Sequence, residues 1–246
     1  MDRGQLEELK GRIASGARVV FFGGAGTSTE SGIPDFRSAS GLFGQGAEFE
    51  HPPEVMLSRS FFDRHPETFY RFYLSRMIYR EAQPNAAHRA LAELEKRGVL
   101  EAVVTQNIDG LHQRAGSRRV LELHGSVHRN RCLACGAFYP LETVIERAAS
   151  GVPDCPACGG TIKPEVVLYE EPLDPDVLEQ AADSIRSADV LIVGGTSLSV
   201  QPAAGLVRLY RGDALALINR TPTPYDHAAR YRFTDSIGQV LQTLVD

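Results

Sequence analysis

The sequence predicts an α/β protein: a parallel sheet with helices on both faces. Short, apolar, β-branched runs alternate with stretches of helical spacing along the chain, and that alternation builds βαβ units. The runs are mostly apolar, as strands covered on both faces are. Glycines and unusual polar residues fall just past the runs, at the carboxyl ends where such sheets collect ligands. The 246 residues suffice for one large domain, or for a large domain carrying a small insert.

The elements follow in order. Leu6, Leu9 and Ile13 have helical spacing and open the chain with a short helix. Residues 19–22 form a buried strand. Residues 38–60 are loop-rich, with Gly41, Gly44, Gly46, Pro52 and Pro53, and 61–82 are aromatic and helical. Pro84 and Asn85 start a helix that places Ala87, Leu91 and Leu94 on one face and stops at Gly98. Strands follow at 100–105 and 120–123. Between 129 and 165 the character changes, with cysteines, glycines, prolines and few long apolar runs. Residues 166–169 return to strand. Residues 175–186 are helical, with Val177, Leu178, Ala181 and Ile185 on one side. Strands at 190–193 and 215–218 follow, and a helix carrying Ile237, Val240, Leu241 and Leu244 closes the chain.

A net charge of −5 and a pI near 5.8 argue against a general nucleic-acid binder, which needs a basic surface, and leave room for basic peptide or protein partners. No apolar run approaches the roughly 20 residues a membrane helix needs. The acidic N-terminus has no signal-peptide core, so the expected location is cytoplasmic.

All four cysteines lie in two C-x-x-C pairs, Cys132 with Cys135 and Cys155 with Cys158, nineteen residues apart. That spacing suits a tetrahedral four-thiolate zinc site. Two disulfides, or four buried thiols, are the other readings, and a cytoplasmic chain disfavours them. Four protein ligands leave zinc no open position, so the metal is expected to be structural and to hold a small insert together.

Gly23, Gly24 and Gly26 follow the first strand. They form either a simple tight turn or a loop letting the backbone approach a pyrophosphate at a helix N-terminus. A second glycine-bearing strand end, at Gly194 and Gly195, strengthens the second reading. Thr196 and Ser197 there offer hydroxyls and backbone N–H groups, and Asn219, at a third strand end, offers an amide to a ribose hydroxyl. Asn107 and Asp109, just after a strand, could hold a carboxamide or orient a water, or could stabilise their own turn. His124 at a strand end is a candidate general base. A capping or metal-ligand role suits His128 better, and the cysteines already complete a zinc shell.

Together the stretches GAGTSTESGIPDFR (24–37), PNAAH (84–88), TQNIDGLH (105–112), ELHGS (122–126), the C-x-x-C pairs, GTSLSVQPAA (195–204) and INRTPTP (218–224) resemble the sirtuins, the NAD-dependent protein-lysine deacylases. They span nearly the whole chain, and SGIPDFR is similar to the bacterial branch. The resemblance implies a Rossmann-like domain (1–37, 84–128 and 166–246), a cofactor loop and helical insert (38–83), and a small zinc-binding module (129–165). It also implies the reaction. The acyl-lysine carbonyl oxygen attacks the ribose carbon of NAD as nicotinamide leaves. His124 then acts as base on the ribose hydroxyls, and water releases free lysine and an acyl-ADP-ribose. Acetyl-lysine proteins or peptides are the implied partners, with no nucleic acid and no membrane.

By position, the resemblance implies an NAD site of Gly24, Ala25, Gly26, Thr29, Phe36, Arg37, Gln106, Ile108, Asp109, Gly195, Thr196, Ser197, Asn219 and Ile237. Ile108 and Asp109 lie near the carboxamide and Asn107 near the reacting ribose. Phe36 would shield the reacting carbon from water. The acyl peptide would add as a strand between 166–169 and 198–200, touching Val167, Tyr169 and Leu198. Two positions depart from the family: Glu170 stands where glycine is usual, and Gly23 where threonine is frequent. Tyr73 and Arg76 have the Tyr-x-x-Arg spacing of the branch that removes succinyl and malonyl groups. One helix face would hold both, and Arg76 could pair with an acyl carboxylate. Mono-ADP-ribosyl transfer shares the first chemical step. A dehydrogenase would show a regular G-x-G-x-x-G with a downstream acid, which this loop lacks. A non-enzymatic binding module has no use for Asn107 and His124 together.

Overall fold

Every residue of the strand β1 (Val19–Gly23) is buried, and the molecule is assembled around it. The structure is a computed structural model describing residues 2–36, 41 and 49–246. Helix α1 (Arg3–Ala14) precedes β1. After it come α2 (Pro53–Met56), α3 (Arg59–Arg64), α4 (Pro66–Arg76), α5 (Ala86–Lys96), β2 (Leu100–Thr105), α6 (Leu111–Ala115) and β3 (Val120–Glu122). Then follow β4 (Gly125–Cys132), β5 (Phe138–Tyr139), α7 (Leu141–Ala148) and β6 (Ile162–Val166). The chain closes with α8 (Pro175–Ser187), β7 (Val190–Gly194), β8 (Ala214–Ile218), β9 (Tyr231–Phe233) and α9 (Ile237–Val245).

The main sheet has six strands in the order β3-β2-β1-β7-β8-β9, and all its pairings are parallel. Alternate residues of each strand face opposite sides. Val19 and Phe21 of β1 pack with Leu9, Leu91, Leu94 and Leu241 from α1, α5 and α9. Val20 and Phe22 pack with Ala181 and Ile185 of α8 and with Ala203 to Val207 of a 3-10 segment. Both faces are thus covered. The strand order reverses between β1 and β7, whose last residues, Gly23 and Gly194, lie side by side. This is the switch point, where two loops leave in opposite directions and open a crevice.

Sequence chemistry explains the helix starts. Asn85 takes N–H bonds from Ala87 and His88, while the His88 ring accepts from the Asn85 N–H, a reciprocal cap. Asp174 and Ser236 cap α8 and α9 one way, their side-chain oxygens accepting from the Asp176 and Val177 N–H groups and from the Gln239 N–H.

A three-stranded antiparallel sheet, β5-β4-β6, forms a second body. Aromatic residues of α3 and α4, among them Phe62, Phe69 and Tyr70, join its core with Val127, Leu141 and Ile162. The Tyr70 hydroxyl donates to the Ile162 carbonyl.

The structure departs from the sequence reading in four places. Residues 61–82 are not one helix: the chain breaks at His65, and Pro66 starts a new helix at its first position. The loop-rich stretch before it contains α2 and the start of α3. Residues 166–169 are not a strand of the main sheet. β6 ends at Val166 and pairs antiparallel with β4, and beyond it only a bridge from Tyr169 to Ser58 remains. The cause is local: Leu168 N–H binds the Glu171 carboxylate, the Glu171 N–H returns to the Leu168 carbonyl, and Glu170 turns the chain at φ 76. Finally, β4 begins at Gly125, so residues 125–128 lie in the small sheet and not in the large one. Among the described residues, no helix is long and apolar enough to cross a membrane.

Candidate functional site

The two glycine loops at the switch point pack against each other. Gly24 N–H binds the Gly194 carbonyl and Gly26 N–H binds the Gly195 carbonyl at 2.8 Å. A Cβ on Gly26 would sit 2.7 Å from Gly195 Cα, and one on Gly195, where φ is +62, would sit 2.3 Å from Thr27 N. The glycines are therefore required by this close approach of two backbones. The expected helix N-terminus is absent: Gly24 leads into two single-turn 3-10 helices, Ala25–Thr27 and Thr29–Ser31, ending at the left-handed Gly32. The Thr29 hydroxyl closes back on the Gly26 carbonyl.

The expected ribose-binding amide of Asn219 is already engaged. Its Oδ1 accepts from Thr196 N–H at 3.0 Å and its Nδ2 donates to the Thr196 carbonyl at 2.6 Å. Asn219 thus holds the loop after β7 in place. The Thr196 hydroxyl accepts from Gln106 Nε2 and from Leu198 N–H, which ties the loop to the end of β2. Ser197 is exposed and meets only Ser199 among the bonds described. Ile237, at the start of α9, is buried against Gly194.

Gly24, Ala25, Gly26, Thr29, Gln106, Gly195, Thr196, Ser197, Asn219 and Ile237 line one cleft of about 1250 Å3 together with Phe36, Arg76, Asn107, Ile108, Asp109, His124, Val167 and Tyr169. Arg37 lies outside the described residues. Leu198 is buried beside the cleft at φ 52.

A directional hydrogen-bond chain runs from the cleft into the core. The Asn85 N–H donates to His88 Nδ1, so His88 carries its proton on Nε2. That N–H faces the Ser28 hydroxyl at 3.5 Å. Asn107 Nδ2 also donates to Ser28, and Ser28 donates to the Asp109 carboxylate at 2.7 Å. Burial lowers the His88 pKa to about 4, which keeps the ring neutral and the direction of the chain set. Behind it stands His112, edge-on at 4.7 Å between ring centroids, fully enclosed and neutral for the same reason. Sequence reasoning did not single out Ser28 or His88 as site residues; the Asn-x-x-His cap before α5 was the available signal.

His124 follows β3. Its Nδ1 lies 3.0 Å from the Gln106 carbonyl oxygen, which only accepts, so Nδ1 carries the proton and Nε2 the lone pair. Burial lowers its pKa, so the ring is neutral at physiological pH. A neutral, oriented imidazole on a cleft wall can take a proton.

The segment expected to pair with a peptide has its donors occupied. Val167 N–H binds the His124 carbonyl, Leu168 N–H the Glu171 carboxylate, and Tyr169 N–H the Leu57 carbonyl. Most of its carbonyls are engaged as well: Val166 accepts from Lys163 Nζ, Leu168 from the Glu171 N–H and Tyr169 from the Arg59 N–H. Glu171 is held by buried Lys163 at 3.0 Å and by Arg59. Glu170 accepts from the Ser60 N–H and hydroxyl.

Tyr73 and Arg76 do not share the cleft. Arg76 lines it, whereas Tyr73 is fully buried, stacked on Phe69, and outside the lining. Packing of α4 against the small sheet turns the tyrosine inward.

The four cysteine sulfurs lie within 4.8 Å of one another. Gly160 makes room for them: a Cβ there would meet Cys132 Sγ at 3.1 Å and Cys158 Sγ at 3.4 Å. Backbone N–H groups of Ala134 and Cys135 point at Cys132 Sγ. Four converging thiols without disulfides are a donor set that fits one zinc ion.

The fold and the cleft define a class: a doubly wound α/β domain with a crevice at its switch point, joined to a small thiolate-bearing sheet. The chain belongs to the Sir2 family, whose model matches residues 24–202. It is 54% identical over 241 residues to an NAD-dependent protein deacetylase of Clostridium acetobutylicum, covering 98% of each chain. It is 44% identical over 243 residues to the protein of that name from Staphylococcus aureus strain N315, covering 99% of each. Among solved structures it matches a Sir2 homologue in complex with NAD at 42% identity and a TM-score of 0.85, covering 97% of this chain and 92% of that one. A Sir2 complex with a p53 peptide and NAD+ matches at 39% identity and a TM-score of 0.84, covering 98% and 96%.

Proposed function

We propose that the chain removes acetyl groups from protein lysines in an NAD-dependent reaction, yielding nicotinamide, O-acetyl-ADP-ribose and free lysine. The observation that carries this reading is the tautomer of His124: Nδ1–H is committed to the Gln106 carbonyl, which leaves Nε2 as a lone-pair base on the cleft wall. When bound, NAD supplies the ribose carbon that the acetyl oxygen attacks, and it is consumed.

The roles of the chain's own residues follow from their places. His124 takes the proton of a ribose hydroxyl at Nε2. Asn107 and Asp109, oriented through Ser28, hold the ribose and the carboxamide of nicotinamide, with Ile108 packed beside them. Phe36, half-buried on the cleft wall, keeps water from the reacting carbon. The packed loops around Ala25 and Gly195 hold the phosphates, and Ser197 and Ile237 border the adenosine half. Arg37 belongs to the same site by its motif. Val167, Tyr169 and Leu198 border the acetyl-lysine peptide. Cys132, Cys135, Cys155 and Cys158 hold one structural zinc. The segments 1–37, 84–128 and 166–246 are the cofactor-binding part, with 125–128 continuing from it into the small sheet as the start of β4, 38–83 the cofactor loop and helical insert, and 129–165 the metal module. The acidic chain acts on proteins or peptides in the cytoplasm.

Mass spectrometry of an acetyl-lysine peptide incubated with the protein and NAD tests the reading. The expected products are the deacetylated peptide, nicotinamide and acetyl-ADP-ribose. NADH formation, or a protein made heavier by ADP-ribose, overturns it.

A further inference from the structure

The two cysteine pairs are not equivalent in their surroundings. Within each pair one sulfur-bearing residue is buried, Cys132 and Cys155, and one exposed, Cys135 and Cys158. A thiolate bound to a metal keeps lone pairs that need hydrogen-bond donors. Exposed sulfurs take them from solvent, but buried ones must take them from the chain. Cys132 takes the N–H groups of Ala134 and Cys135 from its own turn. Cys155 has a side-chain donor from outside both turns: the Tyr139 hydroxyl, 3.0 Å from its sulfur.

The placement of Tyr139 is built by the small sheet. Tyr139 sits on β5 opposite Asn130 of β4, and Asn130 Nδ2 also donates to the Tyr139 carbonyl. The Ala137 carbonyl accepts from Cys132 N–H, which fixes the entry to β5 against the first cysteine turn. The ring packs against the aromatic core shared with α3 and α4. A strand anchored at the first pair thus aims its hydroxyl at the second.

We propose that Tyr139 is a positioning residue for the metal: its O–H donates to the Cys155 thiolate, spreads that sulfur's negative charge, and slows loss of the ion from the buried side of the site. The proposal rests on the zinc reading. A phenylalanine at 139 keeps the packing and removes the donor, so the two contributions separate cleanly.

The experiment uses the full-length, zinc-loaded protein. Zinc content is measured first, then the rate of zinc transfer to a chromophoric chelator at neutral pH, for wild type, Tyr139→Phe and Tyr139→Leu. Tyr139→Phe is expected to release zinc roughly tenfold faster with its fold intact by circular dichroism, the scale of losing one hydrogen bond to a charged group. Site-specific 3-fluorotyrosine at 139, a stronger donor, is expected to release it more slowly than wild type, and decides the matter should Tyr139→Phe not fold. Wild-type release from Tyr139→Phe, or from the fluorotyrosine protein, overturns the proposal while leaving the zinc site standing, and fast release by Tyr139→Leu alone assigns the residue to packing. Wild-type protein without one zinc per chain overturns both.

Discussion

His124 donates from Nδ1 to the carbonyl oxygen of Gln106 at 3.0 Å. The acceptor directly follows strand β2, on a backbone itself pinned by the Gln106 N–H to the Gly23 carbonyl of β1. The imidazole is thus oriented by the sheet. His124→Ala is expected to lower acetyl-ADP-ribose formation by about 100-fold or more, the usual scale of general-base catalysis. Because burial lowers the pKa of His124, the acid limb of kcat/KM should lie below the ordinary histidine value near 6.5. A limb at or above that value contradicts the assignment.

Ser28 is the junction of the chain that orients Asn107 and Asp109. It accepts from Asn107 and His88 and donates to Asp109. Ser28→Ala leaves buried partners unsatisfied, a cost of about 1–3 kcal/mol. The expected result is a five- to 100-fold loss in kcat/KM for NAD, with a smaller change in KM for the peptide. Equal losses on both substrates would point to a general folding defect.

His88 and His112 make stability depend on pH. Both are neutral in the fold because burial lowers their pKa values, to about 4 for His88 and well below 6.5 for His112. In the unfolded chain each titrates near 6.5, so the unfolded state takes up protons first as pH falls. Stability is therefore flat above about 6.5 and falls below it, by up to about 1.4 kcal/mol per pH unit from each ring. For His88 the loss levels off near pH 4. Urea unfolding at pH 7, 6 and 5 measures the slope. His112→Phe, which keeps an aromatic ring between Phe21 and His88, should reduce it by one ring's share.

Much of this architecture was legible in the sequence because its strands are covered on both faces. β1, β7 and β8 are continuous apolar runs, β2 is one but for Glu101 near its start and Thr105 at its end, and the ends of all four mark the cleft. β9 was not, being three residues long with Arg232 exposed in its centre. The glycine loops were visible, but their reason was not. Gly26 and Gly195 are glycines because β1 and β7 lie side by side, which no local pattern shows. The same holds for Asn219, whose amide reaches Thr196 on the neighbouring strand end. Ser28, His88 and Asp109 come from three distant segments, and only the folded chain joins them.

Glu170 occupies a glycine-like conformation at φ 76, and its carboxylate is held by the Ser60 N–H and hydroxyl. The hydrogen bonds offset a left-handed backbone that costs a non-glycine residue about 1–2 kcal/mol. Glu170→Gly relieves the strain as it loses the bonds, so its melting temperature should stay near wild type. Glu170→Ala loses the bonds and keeps the strain, and should be less stable by about 1 kcal/mol. Since Tyr169 exchanges backbone bonds with Leu57 and Arg59 next door, KM for the peptide should rise in Glu170→Ala and change less in Glu170→Gly. A Glu170→Gly protein less stable than Glu170→Ala would refute the strain argument.

Tyr73 separates acetyl from acidic-acyl chemistry. A succinyl- or malonyl-directed site needs the tyrosine hydroxyl and Arg76 on one wall of the cleft, yet only Arg76 lines it. The Tyr73 hydroxyl is enclosed beside Phe69 and has no hydrogen-bond partner among the described residues. An unsatisfied buried hydroxyl costs roughly 1–3 kcal/mol, so Tyr73→Phe should stabilise the protein and raise its melting temperature by about 2–4 °C per kcal/mol gained. The ratio of acetyl- to succinyl-peptide turnover should not move. Arg76→Ala should likewise leave acetyl turnover in excess. Selective loss of succinyl turnover in both variants would instead place the tyrosine hydroxyl in the cleft during the reaction and reassign the acyl preference.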